Sequence, residues 1–72
     1  MTDEEFGQFL IELRPALHRY CARMLGSTFD GEDTVQDVLA RAISAREAAG
    51  DIANPRAWLY AIAHNACLDA IR

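Results

Sequence analysis

The chain has 72 residues and a net charge of −4, with 51% apolar residues. That length allows one small domain, and a core this small is most cheaply built from helices. Alanine is the commonest residue while Gly and Pro are few, a composition that favours helix over sheet and excludes a disordered polar chain. No apolar run approaches the ~20 residues of a membrane span. The acidic start Met1-Thr2-Asp3-Glu4-Glu5 does not resemble a secretory signal. Two cysteines, Cys21 and Cys67, are too few for a disulfide scaffold, so a cytoplasmic protein with reduced thiols is expected. The charge is uneven. Residues 1–37 carry eight acids and three arginines, residues 38–72 three acids and four arginines. Two partners of opposite charge fit that asymmetry, and so does a solvated surface with none.

The first expected helix carries Phe6, Phe9, Leu10, Leu13, Leu17, Tyr20, Cys21, Met24 and Leu25 on one apolar stripe. Asp3, Glu4 and Glu5 suit its first turn, and Gly26 suits its end. Pro15 is expected to kink or split it, because proline removes a backbone donor and crowds the preceding turn. The second helix is expected to start at Asp30, with Asp33 three residues on. Val35, Val38, Leu39, Ala42 and Ile43 form its expected buried stripe, and it frays around Arg46–Ala49 before a loop at Gly50-Asp51. The third begins at Asn54-Pro55, a cap followed by a proline suited to the first helical position. Its apolar side is Trp58, Leu59, Ile62, Ala63, Ala66, Ala70 and Ile71. It reaches Arg72 with no stop signal, so the chain reads as a piece of a longer protein.

Two polar faces stand out. On the second helix Glu32, Asp33, Gln36 and Asp37 form an acidic ridge opposite Val35, Val38 and Leu39, and Arg41 can pair with Asp37 along the helix. The ridge is either a solvated face or a contact for a basic partner. On the third helix Arg56, Tyr60 and His64 recur every four residues with Asn65 and Arg72 nearby. A cation, an aromatic ring, an imidazole and an amide suit phosphate contact, base stacking and base-edge bonding, and equally an ordinary polar face. Trp58, at a loop–helix junction, is either core or a wedge for nucleic acid. His18 with Cys21 and His64 with Cys67 are two His-x-x-Cys pairs; two facing pairs would make a tetrahedral zinc site, but the alternative is buried thiols and solvent-facing imidazoles, and no metal or cofactor is expected. Neither a Gly-rich phosphate loop nor a nucleophile–base pair is present, so no catalysis is expected.

Three stretches carry a resemblance. They are Leu17-His-Arg-Tyr-Cys-Ala-Arg-Met-Leu25 with Gly26, Gly31-Glu-Asp-Thr-Val-Gln-Asp-Val-Leu-Ala-Arg-Ala42, and the run from Asn54 to Arg72 with Trp58-Leu59 near its start. Together they resemble region 2 of bacterial sigma factors of the extracytoplasmic-function type. The resemblance implies an all-α domain of three main helices over residues 1–72, with the family's −35-reading helix-turn-helix domain absent from the chain. It implies a role in transcription initiation. Asp33, Gln36 and Asp37, with Arg41 at the rim, would meet a coiled coil of the largest subunit of core RNA polymerase. The loop around Ser44–Asn54 would capture a base flipped from the non-template strand of the promoter −10 element. Asn54, Arg56, Tyr60, His64 and Asn65 would support that strand, with Trp58 at the point of separation. Leu59 stands where housekeeping members carry a second aromatic, which implies weaker melting, and His64 stands where arginine is common. The resemblance also implies an anti-sigma factor as a partner. A sigma-like interaction module held by such a factor without touching DNA is the alternative function, and a zinc-sensing helical domain a third.

Overall fold

In a computed structural model describing residues 1–72, the chain forms three α-helices: α1 Asp3–Leu25, α2 Thr28–Ala49 and α3 Pro55–Ile71. The longest dimension of the molecule, 34 Å, is the length of its first helix, 23 residues at ~1.5 Å each. No helix is long and apolar enough to cross a membrane.

Local chemistry sets each boundary. Thr2 caps α1 through a reciprocal pair: its hydroxyl accepts the Glu5 N–H at 3.1 Å, and the Glu5 carboxylate accepts the Thr2 N–H at 2.8 Å. Gly26 closes the helix at φ 69°, in the left-handed region that costs a residue with a Cβ. Pro15 was expected to kink or split α1, but it does not split it: one helix runs from Asp3 to Leu25 through it. Pro15 is exposed, as is Ile11 one turn before it, so the Ile11 carbonyl that loses its donor faces water.

The start of α2 also departs from expectation. Ser27, not Asp30, is the cap, and its hydroxyl accepts the Asp30 N–H at 3.2 Å. Serine caps as well as aspartate, and Gly26 has already turned the chain, so the helix starts without delay. Its other end does not fray at Arg46. The guanidinium stacks over the Phe6 ring at 4.6 Å, bonds the Met1 carbonyl at 2.6 Å and pairs with Asp3, which anchors the last turn to α1. The loop is therefore shorter than Ser44–Asn54: residues 44–49 are helical. Asn54 caps α3 as expected, its side-chain oxygen accepting the Ala57 N–H at 3.1 Å.

The core joins one face of each helix: Phe6, Leu10, Leu13, Leu17 and Cys21 of α1, Val35, Val38 and Ala42 of α2, and Leu59, Ala63, Ala66 and Cys67 of α3. Ile43 was expected in that stripe but is 63% exposed, and Ala70 and Ile71 are exposed at the end of α3. Ile43 follows Val35 and Val38 by eight and five residues, a drift of the 3.6-residue period that carries it round to the water side.

Candidate functional site

Asp33, Gln36 and Asp37 project outward from α2, while Val35 and Val38 beneath them are fully buried. Arg41 reaches back to Asp37 at 3.0 Å and across to Asp69 of α3 at 3.0 Å. The hydrogen bond to Asp69 and then that to Asp37 raise the guanidinium pKa further, so this rim cation stays charged. Glu32 does not stand free in the ridge. It turns inward to Arg14 at 2.6 Å, with the His18 ring 3.8 Å away, and ties α2 to α1. Two apolar side chains extend the same exposed side of α2: Phe29, 81% exposed, and Ile43. Ile43 went unrecognised because it sits where a buried stripe continues by type; Phe29 precedes the helix start expected at Asp30, so no helix face was assigned to it.

The Arg56–Tyr60–His64 stripe assembles on α3. The Arg56 guanidinium lies over the Tyr60 ring, 5.6 Å from its centroid. Tyr20, expected on the apolar stripe of α1, packs half-buried against the core and also joins this group. Its ring stands at 87° to Tyr60 with centroids 5.3 Å apart, and its hydroxyl lies 3.1 Å from His64 Nδ1. Burial, then the thiols of Cys67 and Cys21, raises the Tyr20 pKa, so the phenol keeps its proton. A tyrosine within an apolar period reads as core; only the long-range contact to His64 distinguishes it.

The other expected residues are placed differently. Trp58 lies roughly 200° round α3 from Arg56, half-buried, with its ring 6.0 Å from Phe6, so it is not brought into the stripe. Asn65 is exposed beside His64, and its side chain makes no hydrogen bond. Asn54 spends its side-chain oxygen on the cap, which leaves its amide donors for other partners. The loop after Ala49 faces a hollow of about 290 Å³ lined by Phe6, Arg46, Gly50, Asp51, Ile52 and Pro55.

The two His-x-x-Cys pairs do not converge. Cys21 and Cys67 are fully buried together, while His18 bonds the Thr28 carbonyl at 3.2 Å and His64 bonds Tyr20. No group of three or more His, Cys, Asp or Glu is placed to hold a metal ion.

Residues 10–72 match the family described as Sigma-70 region 2. The chain is 42% identical over 73 residues to the ECF RNA polymerase sigma factor SigG of Mycobacterium tuberculosis, an alignment covering 97% of this chain and 20% of that protein. It is 44% identical over 57 residues to the ECF RNA polymerase sigma factor SigL of the same species, covering 78% of this chain and 32% of that protein. The chain thus spans between a fifth and a third of the length of these relatives. No solved structure gives a significant match. With the acidic face of α2 and the capped α3 lying inside the matched residues, the chain belongs to the sigma-70 region 2 family, in its extracytoplasmic-function group.

Proposed function

We propose that residues 1–72 form one region 2 domain that acts in transcription initiation, binding core RNA polymerase through α2 and the promoter −10 element through α3 and the loop before it. Membership of the sigma-70 region 2 family over residues 10–72 carries this reading. On α2, Asp33, Gln36 and Asp37 offer an exposed acidic face to a basic coiled coil of the largest polymerase subunit, with Arg41 at the rim. Complementary charge there serves orientation and association rate. On α3, Arg56, Tyr60, His64 and Asn65 offer a cation, a ring and hydrogen-bonding groups to the unpaired non-template strand. The hollow beside the loop takes the flipped base, with Gly50, Asp51, Ile52 and Pro55 in its lining. Base extrusion costs a few kcal/mol, and stacking on an aromatic side chain returns ~1–3 kcal/mol per base.

Leu59 is aliphatic and fully buried, so no second aromatic stands beside Trp58 for strand separation. Melting then rests on Trp58 and the loop, and on a well-matched promoter. An anti-sigma factor is the further partner this reading implies, and binding of this kind requires no enzymatic step.

The test is Asp37→Arg. Asp37 is exposed and Arg41 retains Asp69, so the variant keeps its fold. Core polymerase binding, measured by co-elution or anisotropy, is expected to be lost. Normal binding by this folded variant overturns the placement of the polymerase face.

A further inference from the structure

We propose that Tyr20 of α1 is a positioning residue for the nucleic-acid face of α3, holding the His64 ring so that its Nε2–H points outward and setting the Tyr60 ring for stacking. The inference rests on the reading of the Arg56–Tyr60–His64 stripe as a DNA contact and names a residue outside that helix.

The geometry is a relay across two helices. Arg56 lies over Tyr60, Tyr60 stands perpendicular to Tyr20, and the Tyr20 hydroxyl meets His64 Nδ1 at 3.1 Å. A neutral imidazole carries one N–H, and its other nitrogen is an acceptor. The phenol is the better donor of the two groups, and burial keeps it protonated, so it donates to Nδ1. The ring proton then sits on Nε2, the nitrogen directed away from Tyr20. A donor in that position suits a phosphate oxygen or a base acceptor. Without Tyr20 the exposed imidazole is free to rotate and to exchange tautomers, and part of its population presents a lone pair to the strand. The tyrosine ring can hold its place because Cys21, its neighbour in sequence, is locked into the core. Rigid support of a contacting side chain lowers the entropy lost on binding.

Tyr20→Phe removes the hydroxyl and keeps the ring. Long-range ¹H–¹⁵N spectra of the 72-residue chain are expected to show His64 as the Nε2–H form in the wild type and as a tautomer mixture in Tyr20→Phe. Affinity for a single-stranded −10 oligonucleotide, measured with core polymerase present, is expected to fall roughly 2- to 10-fold, the worth of one neutral hydrogen bond. Polymerase binding without DNA should not change. In a His64→Gln background Tyr20→Phe should add no further loss, because the acceptor it positions is gone. His64→Gln, which leaves the core packing of Tyr20 intact, reads the same coupling if Tyr20→Phe lowers the melting temperature.

An unchanged His64 tautomer in Tyr20→Phe overturns the proposal. So does unchanged DNA affinity in that variant when Arg56→Ala weakens it, and in that case the reading of the stripe stands. If Arg56→Ala, Tyr60→Ala and His64→Gln all bind the oligonucleotide as the wild type does, the DNA reading itself fails and Tyr20 has nothing to position.

Discussion

A methyl group at Gly31 has nowhere to go. Gly31 lies in the first turns of α2, buried where that helix crosses α1, and a Cβ there would sit 2.8 Å from both the Cα and the N of Ala22 and 3.0 Å from its Cβ. These are mainly backbone atoms of a long helix, so no rotamer change relieves the overlap. The helices must separate. Overpacking of this kind costs about 1–3 kcal/mol, and rigid backbone places it at the upper end. Replacing a helical glycine by alanine returns about 1 kcal/mol of propensity, so Gly31→Ala should lose a net ~2 kcal/mol. A domain of this size has roughly 4–11 kcal/mol in total, and each kcal/mol moves the midpoint by about 4–8 °C. Thermal melting followed by circular dichroism should fall by roughly 8–16 °C. Gly7→Ala is the control, because no atom lies within 4 Å of its Cβ position; it should gain propensity alone and melt a few degrees higher. If Gly31→Ala is as stable as the wild type, α1 and α2 do not meet as described. The consequence reaches function, since Gly31 lies two residues before Asp33 and a displaced α2 tilts the whole acidic face.

Two other predictions concern protons. Burial, followed by the hydrogen bond with Cys67, pushes the Cys21 thiol up to about 12, so the thiolate needed for nucleophilic attack is scarce at neutral pH. Ellman's reagent should leave the folded chain unlabelled and titrate two thiols once guanidinium unfolds it; prompt labelling of the native chain refutes the buried pair. Glu5 titrates below its ordinary range, chiefly because the Thr2 backbone N–H, and then the Thr2 side chain, hydrogen-bonds to it. A carboxylate whose folded pKa is lowered stabilises fully above its unfolded value, about 4.3, and that contribution is lost as pH falls through the lowered folded value. The protection of the Glu5 amide, taken relative to its intrinsic exchange rate at each pH, should therefore fall in acid below about pH 4.3, and Glu5→Gln should remove that acid dependence; identical acid limbs in the two would refute the capping box.

The helices were legible because their signals are local. Apolar residues at helical spacing, Gly26, and Asn54 before Pro55 each act within one turn, and each did so in the structure. What failed needed knowledge of other helices. Pro15 is harmless because its turn faces water, which depends on where α2 and α3 pack. Arg46 extends α2 through contacts to Phe6 and Asp3, more than forty residues away in sequence. Ser27 and Asp30 are both good caps, and the choice between them turned on how soon Gly26 reverses the chain. The two candidate faces were legible as spacing but not as chemistry. Nothing local says that Glu32 leaves the ridge for Arg14, or that the hydroxyl of Tyr20, at the edge of the core, reaches His64.

The same long-range pairing fits the proposed DNA face of an acidic domain. All seven basic residues are arginines. Arg14, Arg41 and Arg46 are held by Glu32, by Asp37 with Asp69, and by Asp3, and Arg72 lies 3.8 Å from Asp69. The three with no carboxylate partner are Arg19 and Arg23, which bracket Tyr20 on α1, and Arg56, which covers Tyr60 on α3. Acids neutralise the cations elsewhere and leave these three unpaired, with Arg56 over the Tyr60 ring. So few phosphate contacts give a small counterion-release contribution, at about 0.7 in the logarithmic salt slope per phosphate on a single strand. Non-specific attraction to DNA is then weak by construction. Under the proposed function, binding at the −10 element then rests on base contacts and on polymerase holding the domain in place through the acidic face of α2.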